Sequence, residues 1–283
     1  MTRHEITLLS PVKINLFLHI TGQRADGYHL LQTLIQFLDY GDLISFCANQ
    51  DSLIERIDQH SFPLPDQDLC IRAAHMLREF VGHKHLGASI TLNKKVPPGS
   101  GLGAGSSNAA TTLLALNKIW NTNLNQEQLI ELGRQLGADV PVFLHGESAW
   151  AEGIGDTFQA YYPEIRWYCV IIPGIDVSTA EVFADPHLNR HHEPVNFQQF
   201  IDGETTNDLE TVTVARYPDV GTALNYLSDF GVARMSGTGS AVFVAVQTHK
   251  LAEELLKLIP RSFTGFAARS INHNPVLKQL SGP

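Results

Sequence analysis

Residues 97–110 read PPGSGLGAGSSNAA, with glycines at 99, 101, 103 and 105, then two serines, then the start of an alanine-rich run. Alternate glycines mark backbone that turns through positive φ or lies hard against a neighbour. The run that follows predicts a helix over 106–119, so the loop feeds a helix N-terminus. Free backbone N–H groups and the positive end of the helix dipole make such a junction an anion site. Ser106 or Ser107 is placed to cap that helix or to reach a metal-bound phosphate. A tight glycine turn with no ligand remains open on these residues. Two better-known loops lack their context. Gly99 to Ala104 satisfies the dinucleotide pattern G-x-G-x-x-G/A, but a second helix at 126–136 follows where that pattern needs a strand ending in an acid. A Walker-type loop closes on Gly-Lys-Ser/Thr, and no lysine follows Gly105.

The N-terminal segment alternates. Val12, Ile14, Leu16, Leu18 and Ile20 take one face of a predicted strand, and Lys13, Asn15, Phe17, His19 and Thr21 the other. Lys13 and Asn15 are then neighbours roughly 7 Å apart along one face. Asp26-Gly27 signals a turn before Tyr28 and His29. Residues 30–47 read as strands broken at Gly41. Residues 69–81 read as a helix capped by Asp68, and 88–96 alternate again. Asn125 and Gln128 form a capping box for the helix at 126–136, which Gly137 ends. Pro141 predicts an extended Val140 and puts Asp139 on a sharp helix exit. Strands are predicted near 148–152, 167–172, 241–246 and 264–270, with a glycine loop at 237–239 and a helix at 249–259. The polar segment 184–206 carries no assignment. There are no internal repeats.

Composition narrows the function. The 283 residues are 43% hydrophobic, enough for one large domain or two lobes around a real core. A formal net charge of −9 without a basic block argues against a nucleic-acid binder. Cys47, Cys70 and Cys169 lie far apart with no CxxC, which fits a reducing cytoplasm and neither a disulfide framework nor a zinc site. The first residues show no signal peptide, and no 18-residue apolar run spans a membrane. His83 with His85, and His191 with His192, lack a third ligand at useful spacing and read as surface histidines; no side-chain metal site is expected.

PPGSGLGAGSSNAA is similar to the second motif of the GHMP small-molecule kinases, P-x-x-x-G-L-G-S/G-S-S. PVKINLFLHITGQRADGYH (11–29) resembles their first motif, and MSGTGSAVF (235–243) their third. KINLFL, G-x-R-x-DGYH, TLIQFLDYGD, GADVPVF (137–143) and TNDLE (206–210) resemble, more narrowly, the members that phosphorylate a cytidine diphosphate-linked methylerythritol for non-mevalonate isoprenoid synthesis. The resemblance spans essentially the whole chain, in order. It implies an α+β fold of two lobes, 1–158 and 159–283, with mixed and antiparallel sheets packed by helices and the active site in the cleft between them. It implies ATP, with Mg²⁺ carried on it, held by Pro97, Gly99, Gly101, Leu102, Gly103, Ala104, Gly105, Ser106, Ser107 and Asn108. It puts Lys13 and Asp139 at the reacting hydroxyl. An alcohol is far more basic than a carboxylate, so Asp139 accepts its proton only as the O–P bond forms. The resemblance also implies that Tyr28 and Phe183 sandwich the cytosine, that His29 hydrogen-bonds it, and that Asn15 binds the methylerythritol. Taken singly, Lys13 reads as a solvated strand lysine and Asp139 as a helix-exit residue. Family members usually carry Asn-Leu where this chain has Asp68-Leu69, and Asp accepts but cannot donate. Lys94 and Lys95 either face the nucleotide or end a solvated strand. A cytoplasmic monomer or homodimer is expected, with no nucleic-acid or membrane partner. The alternatives are a homoserine- or mevalonate-type kinase, a nucleotide-binding module without turnover, and a dinucleotide-dependent oxidoreductase.

Overall fold

Two long strands organise the molecule. The computed structural model describes residues 5–49, 51–58 and 68–281; residues 1–4, where the stretch read for a signal peptide begins, lie outside them. β1 (Glu5–Gln23) and β2 (His29–Asn49) pair antiparallel from Glu5 opposite Cys47 to Gln23 opposite His29, around the turn at Gly27. Gly41 does not break β2. It lies opposite Pro11, where a Cβ would overlap the Ser10 carbonyl oxygen, so glycine lets the strands close up beside a bulge.

A second register shift, between Asn15 and Phe17, corrects the predicted alternation. Leu16 is the extra residue, and it inverts the faces beyond it. Lys13, Asn15 and then Leu18 line a cleft. Phe17 joins Val12 and Ile14 in the core, and His19 is buried outside the cleft. Phe17 and His19 therefore do not share the face of Lys13.

Further strands extend the sheet on both sides of β2. β3 (Ile54–Arg56), β4 (Gly87–Asn93), β2, β10 (Phe263–Ile271), β7 (Trp167–Pro173), β9 (Val242–Val246) and β8 (Arg234–Met235) are neighbours in that order, and β5 (Ala149–Glu152) pairs with β2 and β6 (Thr157–Ala160). All pairings are antiparallel except β3 with β4. One core lies under α1 (Leu69–Val81), α2 (Ala104–Ile119), α3 (Gln126–Leu136), α4 (Val140–His145) and α10 (Pro275–Leu280), built on Phe37, Phe46, Leu113, Phe143 and Val276. A second joins β7 and β9 to α5 (Thr179–Phe183), α7 (Asp208–Arg216), α8 (Pro218–Ser228) and α9 (His249–Leu256). α6 (Phe197–Ile201) packs Phe197 against Trp150. Because α10 returns to the first core, the chain beyond 159 contributes to both.

The caps explain where the helices start. Asp68 accepts from the amides of Cys70 and Ile71, and Asn125 with Gln128 forms the expected box. Val140 is helical rather than extended. Pro141 falls in the first turn of α4, where its missing N–H costs nothing, and it therefore starts a helix instead of ending one.

Asp42 ties β2 to the approach of the glycine loop. Fully buried, its carboxylate accepts from Lys94 Nζ (2.9 Å), Lys95 N (2.7 Å), Val96 N (3.0 Å) and Asn108 Nδ2 (2.8 Å). Lys94 is thus structural. Asp42→Ala strands these four donors, and the expected loss in urea unfolding is about 3–5 kcal/mol. A loss below about 1 kcal/mol, the value of an exposed pair, would mean that the network does not hold the loop.

Candidate active site

Three of the four alternate glycines are where the sequence needs them. Gly99, Gly101 and Gly103 have φ of +67°, +74° and +70°, and Gly105 lies inside α2. Gly103 is the N-cap of α2 and has no side chain to satisfy the first-turn amides. Those amides and the helix dipole are left for an anion. The loop is sewn to its surroundings through its own carbonyls: Lys13 N donates to Leu102 O (3.0 Å), Ala241 N to Ser100 O (2.9 Å) and the Ser236 hydroxyl to Gly101 O (3.0 Å).

Lys13 stands beside this helix start. It is 3% exposed, and a Cβ on Gly103 would press on its Cγ and Cε at 3.2 and 3.1 Å. Its ammonium donates to Asn15 Oδ1 at 2.6 Å and lies 3.5 Å from Asp139 Oδ2. Thr33 donates to the Phe17 carbonyl, so its oxygen accepts from Asn15 Nδ2 (3.0 Å). That chain turns the Asn15 carbonyl toward the lysine. Asp139 precedes α4 but caps nothing, and its side chain is 44% exposed. An ionic pair half open to the cleft is ready for a polar reactant.

A cleft of about 720 Å³ runs from the loop to the β1–β2 turn. Lys13, Asn15, Gly99, Gly101, Gly103, Ser106 and Asp139 line one end; Tyr28, His29 and Phe183 line the other. Tyr28 is 61% exposed, and the His29 and Phe183 rings are 5.0 Å apart. Burial, and then the Arg190 charge, hold the His29 imidazole below its ordinary pKa. Pro97, Leu102, Ala104, Gly105, Ser107 and Asn108 do not line the cleft. Leu102 and Ala104 are core residues. Ser107 accepts from Ser10 Oγ (2.8 Å), and Asn108 is held by Asp42. Of the two serines, only Ser106 faces the cleft, and neither caps α2.

The cleft also contains Thr33, Ile154, Thr179 and Thr238, which carried no sequence assignment as site residues. Thr238 lies in the third glycine motif, a signal that was present; Thr33 on β2, Thr179 in α5 and Ile154 in the β5–β6 turn have no local pattern. Asp68 is engaged by the α1 amides and by Arg56. Lys95 lies 5.9 Å from the Tyr40 ring centroid.

His192 is not a free surface histidine. It stacks on His19 (centroids 3.5 Å) and pairs with Asp208 at 2.8 Å. Burial and the adjacent His192 push His19 down to about 4. Thr206 N donates to His19 Nε2 (3.2 Å), so the neutral ring carries its proton on Nδ1. None of these three residues lines the cleft. His83, His85 and His191 are exposed, as the sequence predicts.

Known proteins resemble this chain in sequence and fold. The family described as GHMP kinases N terminal domain matches residues 68–147, and that described as GHMP kinases C terminal matches 187–263. The 4-diphosphocytidyl-2-C-methyl-D-erythritol kinase of Hahella chejuensis is 45% identical over 99% of this chain and 98% of its own. A crystal structure of 4-(cytidine 5'-diphospho)-2C-methyl-D-erythritol kinase superimposes with a TM-score of 0.79 at 28% identity, over 94% of this chain and 99% of that one. A crystal structure of mevalonate kinase shares the fold at 18% identity, TM-score 0.67, over 95% of this chain and 100% of that one. With both halves matched and a relative alike from end to end, the chain belongs to the GHMP kinase family.

Proposed function

We propose that this enzyme transfers the γ-phosphoryl group of ATP to the 2-hydroxyl of 4-diphosphocytidyl-2-C-methyl-D-erythritol, in non-mevalonate isoprenoid synthesis. One observation carries the reading: a single cleft joins an anion-ready helix start and the Lys13–Asp139 pair to an aromatic end formed by Tyr28, His29 and Phe183. A mevalonate- or homoserine-type acceptor has no base for that end, and a binding module has no use for the pair. The relatives that bear this activity in their names support the same choice.

Phosphoryl transfer passes through a loose transition state, so positioning and charge stabilisation dominate. The backbone amides of the loop hold ATP phosphates, with Gly99, Gly101 and Gly103 letting them approach. Lys13 steadies the incoming hydroxyl and the developing charge. Asn15, locked by Thr33, orients the alcohol, and Asp139 takes its proton as the O–P bond forms. The Ser106 hydroxyl is a hard oxygen that fits Mg²⁺, with phosphates and water as the remaining donors. When bound, the ion neutralises phosphate charge. Three free cysteines support a cytoplasmic enzyme. Among the described residues no helix is long and apolar enough to cross a membrane.

Two results test this reading. ³¹P NMR of the product is expected to show a new monoester on the 2-hydroxyl with the diphosphate unchanged; a phosphate elsewhere, or none, contradicts the assignment. Tyr28→Ala removes an exposed ring with little structural cost. It is expected to raise KM for the cytidine compound about tenfold or more, the worth of one base stack, while kcat and KM for ATP hold. An unchanged KM would remove the base from the aromatic end.

A further inference from the structure

The polar segment 184–206, which has no pattern of its own, places one arginine behind the aromatic end. Arg190 donates through Nε to His29 Nε2 (3.1 Å), through one terminal nitrogen to the carbonyls of Phe183 and Asp185 (2.9 Å each), and through the other to Leu188 O (3.2 Å). It is half-buried and does not line the cleft. It thus grips two of the three residues at that end, His29 by its ring and Phe183 by its backbone.

A guanidinium has five donors, no acceptor and no accessible neutral form. Whatever nitrogen it meets must accept. His29 Nε2 therefore carries a lone pair, and the ring of a neutral His29 carries its proton on Nδ1. Among the described residues Nδ1 has no hydrogen-bond partner, and His29 lines the cleft. We propose that Arg190 is a positioning residue that fixes His29 as a neutral Nδ1–H donor, so that the aromatic end selects a base presenting an acceptor edge. Cytosine offers O2 and an unprotonated N3; uracil carries a proton on N3. A donor aimed at N3 rejects uracil by leaving two N–H groups face to face. The assignment to cytosine rests on the base-holding role argued above, whereas the tautomer does not.

The charged groups around His29 agree with a neutral ring. Arg190 is the cation in contact. Arg24 and Asp26, in the turn before it, pair with each other at 2.7 Å, and the Asp185 carboxylate is taken by Arg216 at 2.6 Å. Among the described residues no carboxylate acts on the His29 ring to stabilise an imidazolium, in line with the lowered pKa.

Long-range ¹H–¹⁵N correlation spectra of the full chain read the tautomer directly. Wild-type His29 is expected to show the Nδ1–H form and a titration midpoint below 6.5, the ordinary histidine value. Arg190→Met is expected to raise the midpoint only partway, since burial remains the larger cause, and to give mixed tautomers, and Arg190→Lys, which still donates to Nε2, to keep the Nδ1–H form. In the same variants, KM for the cytidine compound at pH 8 is expected to rise about tenfold for Met, one hydrogen bond's worth, with kcat held, and to stay near wild type for Lys. A wild-type His29 that is Nε2–H, or that protonates near 6.5, overturns the proposal without any variant. A shifted tautomer in Met with unchanged KM upholds the control of His29 by Arg190 and overturns the base-reading role.

Discussion

Asp139→Asn is expected to lower kcat for ADP release by about 10²–10⁴-fold, the usual worth of a positioned general base, with folding and ATP affinity unchanged. The structure explains why so large an effect comes without a structural cost. Asp139 stands at the start of α4 but caps no amide, and its carboxylate is open to the cleft. Asparagine keeps the shape and the approach to Lys13 but cannot take a proton. Single-turnover ADP release, read beside thermal unfolding, separates the two effects. A drop below about tenfold would reduce Asp139 to orienting the alcohol and leave proton transfer to water.

Gly101→Ala is expected to cut kcat/KM for ATP by about 10²-fold, the cost of a small misplacement of reacting groups. Two independent penalties converge on this position. Its φ of +74° is left-handed, which a Cβ disfavours by roughly 1–2 kcal/mol. That Cβ would also run into the Ser236 and Gly239 carbonyl oxygens, the seam between the two glycine motifs. The loop must shift, and the amides proposed to hold the phosphates shift with it. Gly105→Ala is the control. Gly105 is helical, its added Cβ meets only Leu69 Cδ1 at 3.4 Å, and stability is expected to rise by about 0.5–1 kcal/mol. Equal losses from the two substitutions would mean that the glycines serve helix packing rather than an anion.

Much of the site is legible in the sequence because it rests on local rules. Period two puts Lys13 and Asn15 on one face; glycine spacing announces the positive-φ loop; the capping box and Asp68 mark helix starts. What escapes is set by partners distant in sequence. The Leu16 bulge belongs to the register against β2, and it turns Phe17 and His19 away from the face that periodicity assigns them. Pro141 tolerates either a helix exit or a first turn, and packing of α4 on the core chooses the latter. Ser107 and Asn108 share the motif of Ser106 but face inward, since each step along α2 rotates the side chain by roughly 100° from cleft toward core. Arg190 is invisible from its neighbours because three of its four acceptors are backbone carbonyls, which carry no residue signature.

The proposed activity requires the cleft to couple its two ends. ADP release by the purified protein with Mg-ATP should be measured with 4-diphosphocytidyl-2-C-methyl-D-erythritol, with the same alcohol lacking the cytidine diphosphate, and with homoserine and mevalonate. Turnover with the cytidine compound alone is the predicted result. Turnover with a small alcohol, or ATP binding with no turnover on any acceptor, would contradict it.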